Sequence, residues 1–297
     1  MNNINLNKNH TLLLFFISLF FYFFNLELNL KILPIICFFL IATIGVSHGA
    51  LDHQKGKKIL KIFNIKNMNF FYLIYILFSL LIIFLWLILP GVTLTLFLIV
   101  ASYHFGKEDS VFENRPNIKI LNFFLLAKGL LIILAPFYFH SQETLKIFED
   151  LNVNVIPVNN NILTGLIMLS LISNFIISRN FLLSSLDSFT IILLNLTFEP
   201  LIAFTIYFCF LHSLRHTFSL INIIDSKNFK KGLLNFSKRA LPLTFLTGVI
   251  FLISLFILNN YYLLNSAIMK IVFIGLASLT FPHILLEYLI EKNEKKS

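Results

Sequence analysis

Charge is scarce in this chain. Only 12% of its 297 residues are Asp, Glu, Lys or Arg, against 58% that are apolar, whereas soluble domains carry roughly a quarter charged residues. A water-soluble fold could not hide that much apolar surface. Cysteine is scarcer still: Cys37 and Cys209 both fall inside apolar runs, which excludes a disulfide framework or a thiolate metal site and leaves them as small hydrophobes. No small-residue cleavage site follows the first apolar run, Thr11 to Phe24, so it reads as a retained helix rather than a signal peptide. Internal repeats, low-complexity segments and polar stretches long enough to fold alone are absent. Residues 1–297 therefore form one membrane domain.

What is present is a succession of apolar runs of about twenty residues, each long enough to cross a hydrocarbon core of about 30 Å. Runs such as Phe70 to Leu89 are apolar on every face, unlike the ten-residue alternation of a β-barrel. The fold class is all-α, a polytopic helix bundle with about ten transmembrane spans at 11–26, 32–51, 70–89, 92–107, 119–139, 161–178, 184–198, 200–219, 241–258 and 267–289. Glu199-Pro200 leaves an alternative in which 184–219 is one kinked helix with a reentrant piece. Thirty-six residues exceed one crossing, which favours two helices.

The net charge of +9 is accounted for by topology rather than by nucleic acid, because Lys and Arg concentrate in alternate connections. Lys55, Lys57, Lys58, Lys61 and Lys66 follow the second span; Lys227, Lys230, Lys231, Lys238 and Arg239 follow the eighth. Lys107, Arg115 and Lys119, then Arg179, and finally Lys292, Lys295 and Lys296 fall on the same side. The opposite connections hold only Lys31 and Lys146, and 140–160 is net acidic. Both termini are thus expected in the cytoplasm and the protein in the cell (plasma) membrane. The 36 phenylalanines match a composition rich in Phe, Ile, Asn and Lys and do not by themselves mark an aromatic pocket.

Five histidines then acquire positions. His48 closes the second span, His104 the fourth, His212 and His216 lie in the last turns of the eighth, and His283 lies in the tenth. All sit on even-numbered spans, which run in one direction, so all fall in one layer of the membrane. A single intramembrane histidine is usually a satisfied interhelical hydrogen bond, but several in one layer point to a site. His212 and His216, at i and i+4, share a helix face and can bind one metal. With neither cysteine nor a close pair of carboxylates in view, imidazole ligation suits Fe, Zn or Cu. Asp52, His53, Asp109, Arg215 and Glu287 lie near enough to hold imidazole N–H groups, or else merely solvate an interface. Gly49 and Gly106 would let backbones approach or end helices. His10 and His140 lie at span ends and need no special role.

The motifs His48-Gly49-Ala50-Leu51-Asp52, Ser102-Tyr103-His104-Phe105-Gly106, His212-Ser213-Leu214-Arg215-His216 and Pro282-His283, in this order over essentially the whole chain, resemble the Brp/Blh family of β-carotene dioxygenases. The chain departs at Val46-Ser47, where Pro before the histidine is frequent. The resemblance implies an Fe(II) membrane enzyme that splits the central double bond of β-carotene with O2 into two molecules of all-trans retinal. His48, His104, His212 and His216 match its iron ligands. Membrane lipid is the medium, no nucleic acid is implied, and retinal could be handed to a microbial rhodopsin. His283 is expected outside the ligand set, with Glu287 at i+4 fixing its ring. The competing readings are a histidine-ligated haem electron carrier and a metal transporter. The first would want histidines in two layers, the second a path of ligands across the membrane. Membrane di-iron hydroxylases need about twice as many histidines.

Overall fold

Backbone groups in hydrocarbon must bond within their own segment, which makes helices the only open-chain solution. The computed structural model describes residues 3–24, 32–110, 120–178 and 180–294, with the backbone alone for 3–5, 48 and 294. It is helical throughout, with no strand among these residues. Lys31, Arg115, Lys119, Arg179, Lys295, Lys296 and the side chain of His48 lie outside the described residues.

The helices are α1 (Asn3–Phe23), α2 (Leu33–Leu40), α3 (Asp52–Ile62), α4 (Met68–Ile88), α5 (Pro90–Glu108), α6 (Leu121–Phe139), α7 (Ser141–Asp150), α8 (Asn160–Ile177), α9 (Phe181–Thr197), α10 (Pro200–Ile206), α11 (Leu214–Ile224), α12 (Phe229–Leu258) and α13 (Leu264–Glu294). Among the described residues, six helical stretches are long and apolar enough to cross a membrane: Leu33–Ile62, Met68–Ile88, Leu121–Phe139, Asn160–Ile177, Phe229–Leu258 and Leu264–Asn293. Their outer faces are apolar, with Leu73, Leu77 and Leu87 on α4 and Phe245 and Phe256 on α12 exposed. Exposed apolar surface on that scale belongs against lipid.

Several boundaries depart from the sequence expectation. The basic stretch after the second span is not a loop: a π-helical segment, Ile41–Gly45, and a short 3-10 turn, His48–Leu51, lead directly into α3, which carries Lys55 to Lys61. Likewise α12 starts at Phe229 and takes in Lys230 to Arg239. Charge ended the apolar runs, but nothing in those residues breaks a helix. Pro200 does punctuate: Phe198 and Glu199 are extended, Pro200 starts α10, and α9 and α10 are separate helices. A second π-helical segment, Tyr207–Ser213, joins α10 to α11. Ser213 donates from its hydroxyl to the Gly45 carbonyl at 2.9 Å, tying the two π segments together. At the α11–α12 turn, the Asn228 and Lys227 N–H groups hold the Asp225 carboxyl below the usual carboxylate range.

Close packing fixes the height of α5. A Cβ on Gly106 would come within 1.8 Å of the Leu125 carbonyl oxygen, and one on Gly129 within 1.8 Å of the Ser102 carbonyl oxygen. Only glycine permits that backbone contact, so Gly106 serves close approach, as its position after His104 suggested. Gly45 does the same beneath the Phe208 ring, which a Cβ would meet at 2.6 Å.

Candidate metal centre and apolar cavity

Four helical segments deliver histidines to one place. His104 comes from the end of α5, His212 from the second π segment, His216 from α11 and His283 from α13. Ring centroids are 5.2 Å apart for His104 and His212, 5.3 Å for His104 and His283, and 6.3 Å for His216 and His283. His104, His212 and His283 are buried. The 3-10 turn that carries His48 borders the same cluster, since a Cβ on Gly49 would lie 3.8 Å from His283 Nδ1.

Carboxylates hold the rings. His212 Nδ1 is 3.0 Å from Asp109 Oδ1, His216 Nδ1 is 2.9 Å from Glu108 Oε2, and His283 Nδ1 is 2.8 Å from Asp52 Oδ2. An imidazole held this way by Nδ1 has its tautomer fixed and turns Nε2 toward the cluster, the arrangement of metal-ligating histidines. Two of these carboxylates are themselves braced. Tyr207 donates to Asp109 Oδ2 at 2.6 Å and Tyr75 to Asp52 Oδ2 at 3.0 Å.

Glu287 lies in the middle. Its carboxylate is 3.5 Å from His283 Nε2, 3.7 Å from His104 Nδ1 and 2.6 Å from Lys55 Nζ. The ligand atoms of His104, His283 and Glu287 all lie within 4.8 Å of one another, as do those of Glu108, His216 and Glu287. Two sequence expectations change here. Carboxylates do join the histidines, because helical spacing puts Glu108 at i+4 from His104 and Glu287 at i+4 from His283. And the Nδ1 of His283 is held by Asp52 rather than by Glu287.

The remaining candidates separate. Asp52 and Asp109 touch histidine rings directly. Arg215, only 1% exposed, does not: it forms a two-pronged ion pair with Asp187 at 2.8 Å on both arms and donates to Thr11 and to the Asp109 carbonyl. It clamps α1, α9 and α11 behind the cluster. His53 bonds the Ala50 carbonyl from Nδ1 at 3.0 Å. His10 and His140 act as ties, donating to the Phe210 and Asn195 carbonyls at 2.6 and 2.8 Å. Glu108, Tyr75, Tyr207 and Lys55 were missed as site residues. The i+4 spacing after His104 would have found Glu108; the tyrosines carry no local signal.

The donor chemistry fits a metal cation. Four carboxylates, from Asp52, Glu108, Asp109 and Glu287, surround the imidazoles, with Lys55 as the cation beside Glu287 and Asp52. Buried negative charge in excess needs a positive partner, and imidazole with carboxylate suits iron among others.

A cavity of about 460 Å³ runs from this cluster into the bundle. His104, His283 and Asp52 line its near end, and Phe97, Phe137, Phe204 and Phe251 its walls. Tyr72, Ile76 and Leu80 of α4 and Leu246 and Ile250 of α12 both line the cavity and are exposed on the outer surface. It therefore opens sideways, between α4 and α12.

No solved structure matches the chain. A curated relative named beta-carotene 15,15'-dioxygenase, from uncultured marine bacterium 66A03, is 29% identical over 259 residues, covering 83% of this chain and 90% of its own. The family described as Beta-carotene 15,15'-dioxygenase matches residues 39–291, a span that holds every histidine of the cluster and all of the cavity. The chain belongs to the β-carotene 15,15'-dioxygenase family.

Proposed function

We propose that this protein is an iron-dependent enzyme of the cell membrane that cleaves the central double bond of β-carotene with O2 to give two molecules of all-trans retinal. The observation that carries the reading is the juncture of the apolar cavity and the histidine cluster at His104 and His283. A long polyene partitions into lipid, and the opening between α4 and α12 admits it sideways without passage through water. The same opening returns retinal to the bilayer, where a microbial rhodopsin can take it up.

His48, His104, His212 and His216 would hold the iron, as the family resemblance implies. His283 is expected outside this set from the sequence, but its Nδ1 is held by a carboxylate as those of His212 and His216 are, which supports it as a fifth ligand. When bound, Fe(II) supplies the activation of O2. In the balance of the reaction the C15–C15′ double bond breaks, and each carbon leaves as an aldehyde carbonyl bearing one oxygen atom of O2. The chain's own residues do the rest. Asp52, Glu108 and Asp109 fix ring orientation, Tyr75 and Tyr207 fix the carboxylates, and the phenylalanine walls exclude water. The one-layer convergence favours ten crossings with both termini in the cytoplasm and the histidines toward that face.

The test is expression in a β-carotene-producing bacterium. Loss of pigment with appearance of retinal, and about one iron per purified chain, is the expected outcome. Unchanged pigment with folded protein present, or retention of haem, would overturn it.

A further inference from the structure

The cavity has a floor, and the floor is built with unusual firmness. At the end remote from the histidines it is closed by α7, a ten-residue amphipathic helix. Thr144, Ile147 and Phe148 form its buried face and line the cavity, while Glu143, Lys146 and Glu149 lie away from it. Phe148 packs edge-on against Phe137 of α6 with centroids 5.3 Å apart. Three helices bolt α7 in place. His140, at its start, donates to the Asn195 carbonyl of α9 at 2.8 Å. At its end Trp86 of α4 donates to the Leu151 carbonyl at 3.4 Å, and Lys270 of α13 donates to the Asp150 carbonyl and to Asn152 Oδ1. Asn152, at φ 61°, stops the helix in the left-handed conformation, and the Val153 N–H returns to the Phe148 carbonyl at 2.8 Å, a closed helix end. A short helix pinned at both ends is a poor lid and a good stop.

Its distance from the histidines follows from two independent helices. Gly129 of α6 abuts Ser102, beside the His104 level, and Phe137 is eight residues further, or about 12 Å along the helix. On α13, Lys270 is thirteen residues from His283, or about 20 Å. The floor thus stands roughly 12 to 20 Å from the ligands. An extended covalent chain advances about 1.2 Å per bond. From the central carbon of β-carotene to its ring is nine bonds, about 11 Å, with the ring beyond. One half of the substrate fills that depth.

We propose that α7 is the depth stop that selects the bond to be cleaved: the substrate's ring seats against Ile147 and Phe148, and the pinned position of α7 presents the fifteenth carbon to the metal layer. This rests on the reading of the protein as a carotene-cleaving enzyme. It makes Ile147 and Phe148 specificity-determining residues and Lys270 a positioning residue.

The test compares the aldehydes released from β-carotene, resolved by chromatography, for the wild-type protein and for Ile147→Ala, Phe148→Ala and Thr144→Trp, each checked for bound iron and a monodisperse detergent extract. Wild type should release retinal alone. The two truncations let the ring slide deeper, and unequal products from neighbouring double bonds, a ketone with a longer aldehyde from the 13,14 bond or two unlike aldehydes from the 11,12 bond, should rise at least tenfold; Thr144→Trp should cut retinal formation at least tenfold with iron retained. Lys270→Met should also release unequal pairs, which a merely structural tie would not produce. Should Phe148→Ala fail to extract, Phe148→Leu keeps the apolar seal and shortens the stop. Retinal as the sole aldehyde from every iron-loaded variant overturns the proposal. A wild-type protein that releases no aldehyde overturns the functional reading itself.

Discussion

Around His212 and Glu287 the bundle is held together by charge; between Phe97 and Phe148 the same helices are held apart by size. In the first region Asp52, Glu108 and Asp109 each grip an imidazole and Lys55 neutralises Glu287. In the second, aromatic rings such as Phe204 and Phe208, stacked 5.4 Å apart, stand around open space. The difference is one of specification. Hydrogen bonds and ion pairs fix atoms to tenths of an ångström and suit a metal, whereas apolar walls fix only shape and suit a substrate without polar handles. Position at one end and length at the other are set by different forces, so substitutions should sort by region.

The largest effect is expected at the histidines. His212→Ala and His283→Ala should each weaken iron binding more than about 100-fold, beyond the loss typical of an orienting carboxylate, and abolish retinal formation. Metal analysis of the purified variants decides this, and full iron in His283→Ala beside an empty His212→Ala would put His283 outside the ligand set. Next come the carboxylates: Asp52→Asn and Asp109→Asn keep the shape but lose the charge, and chelator competition should show affinity lower by about 10- to 100-fold. The smallest effect belongs to the mouth of the cavity. Ile76→Phe should slow β-carotene consumption a few-fold in membranes while the iron content stays at the wild-type value. Iron loss in that variant would break the division between the two regions.

Much of this organisation was legible in the sequence because it rests on long-range regularities. Apolar length located the long helices, and the histidines that the sequence singled out on separate spans do meet. The rest depended on details that neither signal carries. Lys55 counted only as a topological charge, yet it faces Glu287. Glu108 lay next to Asp109 in an interfacial segment, where one more acid attracts no notice. Tyr75 and Tyr207 sit among phenylalanines and leucines that a hydropathy reading treats alike. And α7 is too short and too polar to register as part of a membrane fold, although its buried side chains close the cavity.

The π-helical segments at Ile41–Gly45 and Tyr207–Ser213 bear on inheritance as well as on shape. A π turn accommodates one residue beyond the α-helical count, and each residue turns a helix by about 100°. Every side chain after such a segment is therefore out of phase with those before it: Phe204 faces the cavity in one phase, while His216 meets Glu108 in the next. Winding Tyr207–Ser213 as regular α-helix with no residue removed would swing His216 about a quarter turn toward Thr217's present direction, whereas removing one residue together with the π turn would leave it where it is. The Ser213–Gly45 bond couples this segment to its counterpart in front of His48. A homologue that straightened this segment without losing a residue would have to find that imidazole elsewhere on the helix.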